Sequence, residues 1–147
     1  MQRSPIVTAV TEIDSSPEKV WRELTDLAGY AQWHPSLRFV DVPAEISAGT
    51  RLRAQVTLGT ENDGEYEFTV VQFEAPRQFA WEGGIPDVLM GRHSFVLESR
   101  DGATLFTESE EFTGSAAVDT VEPARAHMEE LFASYGRALR KRLESDR

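Results

Sequence analysis

The sequence predicts an α+β fold in which a curved antiparallel sheet packs on one long helix near the C-terminus. Three observations carry this expectation. Residues 37 to 112 hold one β-branched or aromatic segment after another, separated by short Gly, Pro and Asp turns, the texture of a strand meander. Residues 119 to 142 instead repeat apolar side chains every three or four positions, the period of an amphipathic helix. Ahead of the meander stand one isolated strand and a capped helical segment.

Taken in order, IVTAVTEID (6 to 14) is the first strand, rich in β-branched residues. Ser15, Ser16, Pro17 and Glu18 then start a helix. Ser16 can cap it with Pro17 at the first helical position, or Ser15 and Glu18 can form a capping box. Val20, Leu24 and Leu27, with Trp21 beside them, give this helix an apolar stripe to about Leu27. Gly29 and Pro35 bracket YAQWH, which is either a single helical turn or an ordered loop.

The meander begins with LRFVDV (37 to 42) and RLRAQVTL (51 to 58), where Leu52, Ala54, Val56 and Leu58 alternate with polar residues. One face is dry and the other wet. TENDG (60 to 64) has the composition of a hairpin loop and leads into EYEFTVVQFE (65 to 74). QFAWEG (78 to 83), a strand containing GRHSFVLE, and TLFTESEEF (104 to 112) follow, the last two joined by Asp101-Gly102. That dipeptide is the strongest hairpin signal in the chain. Gly83-Gly84 ahead of Ile85-Pro86 reads as a strand end or bulge, not a phosphate loop. In the last segment Met128, Leu131, Phe132, Tyr135, Leu139 and Leu143 form the apolar stripe, with Glu129, Glu130, Arg137 and Arg140 opposite. Such a helix is on the order of 30 Å long, enough to cross the sheet. A strongly twisted sheet around one helix is not filled by that helix near both ends, so a cavity between them is expected.

Bulk properties narrow the function. The 147 residues, 40% apolar, fit a single domain spanning 1–147, burying roughly two thirds of its unfolded surface. Without cysteine there is no disulfide or thiolate metal site, and a cytoplasmic address is the expectation. MQRSPIVTAV lacks a signal-peptide core, and no run approaches the ~18 apolar residues of a membrane helix. Fifteen basic against 25 acidic residues give a formal charge of −10, which argues against nucleic acid and anionic lipid surfaces. The basic group Arg137, Arg140, Lys141 and Arg142 suits the negative end of a helix dipole.

The chain resembles the SRPBCC, or START-like, superfamily, the helix-grip fold of polyketide cyclases and lipid-transfer domains. The similarity lies in the opening strand, SPEKVWRELTD (16 to 26), then Tyr30, Trp33 and Pro35, GRHSF (91 to 95), TLFTESEEFTG (104 to 114), and a last helix with Phe132, Ala138, Leu139, Arg142 and Glu144. It covers nearly the whole chain and implies a seven-stranded sheet wrapped around the terminal helix. Within the superfamily the chain is similar to a bacterial subgroup that shares the histidine of GRHSF and the first glutamate of EEFTG. Relatives often carry a histidine where this sequence has Glu108.

His93 is the residue that asks for an explanation, because it shares its strand face with Phe95 and Leu97. A two-residue Asp101-Gly102 turn sets Arg100 opposite Ala103, and so His93 opposite Glu110, Phe95 opposite Glu108 and Leu97 opposite Phe106. A three-residue turn would move His93 opposite Ser109. In the first register imidazole and carboxylate are within hydrogen-bonding reach, and the pair can serve as a buried structural contact, as the polar end of a ligand site, or as acid/base groups. The histidines at 34, 93 and 127 have no metal-ligand spacing, and there is no nucleophile elbow or isolated apolar lysine, so neither metal nor cofactor is expected.

The expected reading is a binder of a small, largely hydrophobic molecule (lipid, polyketide or aromatic metabolite), present as monomer or homodimer. Phe68, Trp81, Phe95, Met128, Phe132 and Tyr135 would line its cavity, with His93 and Glu110 at a polar end and Trp33 and His34 as a lip. The resemblance also implies two alternatives: an aromatase/cyclase-like enzyme with His93 moving protons and Glu110 beside it, and an interaction module like the chaperone-activating relatives.

Overall fold

A computed structural model describes residues 4–145. Seven strands form one sheet in the order β1-β7-β6-β5-β4-β3-β2, and every neighbouring pair is antiparallel. The strands are β1 (Ile6–Ile13), β2 (Leu37–Val40), β3 (Arg51–Val56), β4 (Gly64–Glu74), β5 (Gln78–Ile85), β6 (Leu89–Arg100) and β7 (Ala103–Thr113). Strands β2 to β7 are a simple meander, and β1 returns to pair with β7. The α+β helix-grip architecture expected from the element order is the one observed.

Between β1 and β2 lie α1 (Pro17–Thr25), a 3₁₀ turn and α2 (Tyr30–Trp33). Of the two possible starts, α1 uses Ser16, whose Oγ accepts from Lys19 N at 3.3 Å, with Pro17 in the first turn. YAQW is a helical turn rather than a loop.

The C-terminal helix differs from the sequence expectation in one respect. Its first turns are set apart as α3 (Ala117–Val121) and a 3₁₀ turn at Glu122–Ala124, and only then does α4 (Arg125–Glu144) run unbroken. Pro123 supplies the cause, since it has no N–H and its ring crowds the preceding turn. At twenty residues, α4 is about 30 Å long. Phe132, Tyr135 and Leu139 on its stripe are buried. Gly136 lets it approach β1 closely, because a Cβ there would lie 2.0 Å from Thr11 Oγ1. Among the described residues no helix is long and apolar enough to cross a membrane.

Gly83 and Gly84 stand at the end of β5, which closes at Ile85, and still pair with Gly91 and Met90. Gly84 has φ +133°, and a Cβ on it would meet Leu89 O at 2.2 Å. The bulge lies instead in β4, between Val70 and Gln72.

The core is closed at one end and open at the other. Ile13, Leu24, Leu27, Phe79, Phe106 and Leu139 belong to one buried cluster under α1. A second cluster joins Val7, Phe112, Val121, Phe132 and Tyr135. Sheet and helix separate at the open end.

Candidate functional site

The separation leaves a cleft of about 340 Å³ between the inner face of the sheet and the first half of α4. Strands β2 to β4 and the β3–β4 loop contribute Leu37, Val56, Leu58, Asn62, Tyr66 and Phe68; Trp81, His93, Glu110 and Phe112 come from β5 to β7. Met128, Leu131, Phe132 and Tyr135 face them from α4. The β3–β4 loop is held by Asp63, which accepts from Leu58, Gly59 and Thr60 N–H at 2.7, 3.0 and 3.2 Å. This carboxylate clamp fixes the part of the rim carrying Leu58 and Asn62. Leu58 and Tyr66 remain exposed at the mouth.

The polar end is built on the β6–β7 hairpin. Asp101 (φ 51°) and Gly102 (φ 84°) are both left-handed, as a two-residue type I′ turn requires. Arg100 therefore pairs with Ala103, and the register puts His93 opposite Glu110 and Phe95 opposite Glu108. The hydrogen bond, however, runs on the diagonal: His93 Nε2 donates to Glu108 Oε2 at 2.7 Å, while His93 Nδ1 is 3.6 Å from Glu110 Oε1. Strand side chains lean along the strand as well as out of it. Both glutamates lean the same way, Glu108 from Phe95 toward His93 and Glu110 from His93 toward Gly91. Direct opposition across the hairpin does not give Glu108 as the partner of His93, because it leaves this lean out. Its signal was present: a carboxylate on the same strand face as Phe106 and Phe112 must be paired.

Trp81 stacks on His93 (centroids 5.3 Å, 29° between planes), and Phe132 and Phe95 flank it at 5.1 and 4.9 Å. Burial works against charge on this imidazole, but hydrogen bonding to Glu108 and the nearby Glu110 carboxylate outweigh it and push the pKa up to about 10. Burial likewise raises the pKa of Glu108. His93 is thus held as an imidazolium at neutral pH. One cation between two carboxylates leaves the trio with a net negative charge. Among the described residues no group of three or more His, Asp or Glu is arranged to hold a metal ion.

Of the residues predicted to line a cavity, Phe68, Trp81, His93, Glu110, Met128, Phe132 and Tyr135 stand around this cleft, and Trp33, His34 and Phe95 do not. Phe95 is packed into the closed core beside Phe79, Trp81 and Phe106. His34 is a local brace: its Nδ1 accepts from Ser36 and Leu37 N–H at 3.1 and 3.0 Å. Its ring lies between Tyr30 and Tyr135, at 5.5 and 4.2 Å. Burial, and then the charge at His93, push its pKa down to about 3. Trp33 packs on Tyr30 and His34. The loop after α1 needed an acceptor for its own N–H groups, and His34 supplies it. Leu37, Val56, Leu58, Asn62, Tyr66, Phe112 and Leu131 line the cleft without having been predicted to. They sit on strand faces or the helix stripe that the sequence pattern does mark as apolar, apart from the loop residue Asn62 and Tyr66.

Residues 4–145 match the family described as polyketide cyclase/dehydrase and lipid transport. The chain belongs to this family. No curated protein matches it significantly in sequence. Among solved structures it is similar to a START superfamily protein from Mycobacterium smegmatis, with a TM-score of 0.73, 19% identity, and coverage of 97% of this chain and 99% of that one. It is also similar to norcoclaurine synthase from Thalictrum flavum (TM-score 0.69, 14% identity, 96% and 87% covered). DynU16, from the dynemicin biosynthetic locus, has a TM-score of 0.75 at 17% identity over 99% of this chain. The chain spans about half the length of DynU16, 49%. At these identities the likeness establishes the polyketide cyclase and START-like fold, and the chemistry must be argued from the cleft itself.

Proposed function

We propose that the protein binds a small, largely hydrophobic molecule, such as a lipid, polyketide or aromatic metabolite, in the cleft between sheet and α4. The observation that carries this reading is the cleft's combination of largely apolar walls with a polar end at His93 and Glu110. Its volume of about 340 Å³ falls in the lower part of the usual range for small-molecule sites, roughly 300 to 1,000 Å³. Burial of about 200 Å² of apolar ligand surface contributes roughly 5 kcal/mol before ordering costs.

The test is native mass spectrometry of freshly purified protein, joined to titration with the neutral probe phenylnaphthylamine. A co-purified small molecule, or saturable probe binding that Phe132→Trp blocks by filling the cleft, supports the reading. Protein that carries nothing and takes up no probe overturns it.

A polyketide cyclase-like activity is the second reading, favoured by the position of His93 in the cleft wall. With its pKa at about 10, His93 would give a proton rather than take one at neutral pH. Turnover of a poly-β-ketone mimic that disappears in His93→Gln would move the protein to that class.

A further inference from the structure

The charges of the cleft are arranged in a way that selects among hydrophobic ligands. Among the described residues its lining contains no lysine, arginine or aspartate, and its ionisable groups besides tyrosine are His93 and Glu110. His93 Nε2 is committed to Glu108 at 2.7 Å, so that imidazolium and carboxylate balance each other. Glu110 is a second, more loosely placed carboxylate on the same imidazolium. Its Oε1 is 3.6 Å from His93 Nδ1, beyond good hydrogen-bond distance, and the side chain is 20% exposed, on the cleft side of the sheet. A carboxylate in a partly dry site retains its acceptor capacity and attracts a donor more strongly than it would in water.

The walls around it point the same way. Trp81 and Phe68 lie with centroids 5.6 Å apart, and with Tyr66, Phe132 and Tyr135 they present five aromatic residues to the cleft. Aromatic faces attract organic cations. The chain's formal charge of −10 also raises the local concentration of cations at its surface. An anionic head group entering the cleft would meet Glu110, with no arginine or lysine among the described lining residues and with the His93 imidazolium already paired to Glu108.

We infer that the ligand of this cleft is a hydrophobic amine: an aromatic or alkyl ammonium whose charged end is bound by Glu110 and whose apolar body lies among Phe68, Trp81 and Phe132. The inference rests on the small-molecule reading above and adds the sign of the ligand's charge. It sets fatty acids, phospholipids and other anionic amphiphiles apart as poor ligands.

Calorimetric titration with three probes of one shape separates the outcomes: naphthylethylammonium, naphthylethanol and naphthylacetate at neutral pH. The expected order is ammonium, alcohol, carboxylate, with the ammonium ahead of the alcohol by on the order of tenfold. In Glu110→Gln, checked for folding by circular dichroism, that advantage disappears while the alcohol still binds. The wild-type ranking is decisive without the variant. An alcohol or carboxylate that binds as tightly as the ammonium overturns the inference and leaves the small-molecule reading standing. An ammonium advantage that persists in folded Glu110→Gln also overturns it, since general attraction to an acidic protein then accounts for the preference. Failure of all three probes to bind removes both.

Discussion

Gly91 leaves free the place that Glu110 occupies: a Cβ at residue 91 would lie 2.1 Å from Glu110 Oε2 and 3.0 Å from its Cδ. The glycine is a space requirement of the polar end of the cleft, not a turn. Gly91→Ala should leave the fold intact, because the atoms in the way are the far end of a flexible side chain, and its cost should be about 1 kcal/mol or less. The displaced carboxylate should, however, abolish the preference for an ammonium probe over its alcohol. A melting curve and paired titrations check the two halves; a large drop in melting temperature with ligand preference unchanged would show that Gly91 serves packing alone.

His93 should set the alkaline limit of stability. Its pKa is raised from an ordinary value near 6.5 to about 10, so the folded state holds a proton that the unfolded state releases. That contribution is complete below about 6.5 and is lost as pH rises through about 10. Urea midpoints measured between these limits should fall with pH in the wild type and fall less in His93→Gln. Glu108→Gln, which breaks the 2.7 Å contact, should cost about 2 to 3 kcal/mol at pH 7 and flatten the same limb.

His34 should act at the other end of the scale. Burial keeps it neutral, with a pKa lowered from 6.5 to about 3, so the unfolded chain takes up a proton that the folded one refuses. Stability is fully present above about 6.5 and drains away as pH falls toward about 3. His34→Asn keeps an acceptor for the Ser36 and Leu37 N–H groups and removes the titration. Its acid unfolding midpoint should shift to lower pH than that of the wild type. An unchanged midpoint would assign acid sensitivity to other groups.

Much of this arrangement was legible in the sequence, and the parts that were not share a cause. The Asp101-Gly102 dipeptide limits the β6–β7 hairpin to two registers, and the left-handed conformation of both residues selects the one that sets His93 opposite Glu110. The α4 stripe and the alternation of β3 and β6 were plain because burial imposes periods of 3.6 and 2. What pattern does not contain is lean and depth. Opposed positions put Glu110 at His93, and only the tilt of the side chains along the strand gives the closer contact to Glu108. Phe95 and His93 share a face, yet one lies in the closed core and the other at the cleft. Trp33 and His34 looked like a lip because loops often are one, whereas unsatisfied backbone N–H groups turned His34 inward.

The closeness of α4 to β1 gives a prediction in which two known effects oppose each other. In an exposed helix, Gly→Ala is stabilising by about 1 kcal/mol. At Gly136 the new methyl would meet Thr11 Oγ1 at 2.0 Å and Thr11 Cβ at 3.0 Å. Thr11 is β-branched and buried in a strand paired with Phe106, so it has little room to turn away. Overpacking of this kind costs about 1 to 3 kcal/mol, and Gly136→Ala should be destabilising on balance. Thr11→Ala removes the oxygen that is nearest and lengthens the tightest approach to 3.0 Å. The double variant should therefore be more stable than the two single effects would sum to, with a coupling of about 1 kcal/mol or more in a double-mutant cycle measured by urea denaturation. Additive effects would mean that α4 shifts as a unit to absorb the methyl, and the cleft lined by its first half would then change volume in Gly136→Ala.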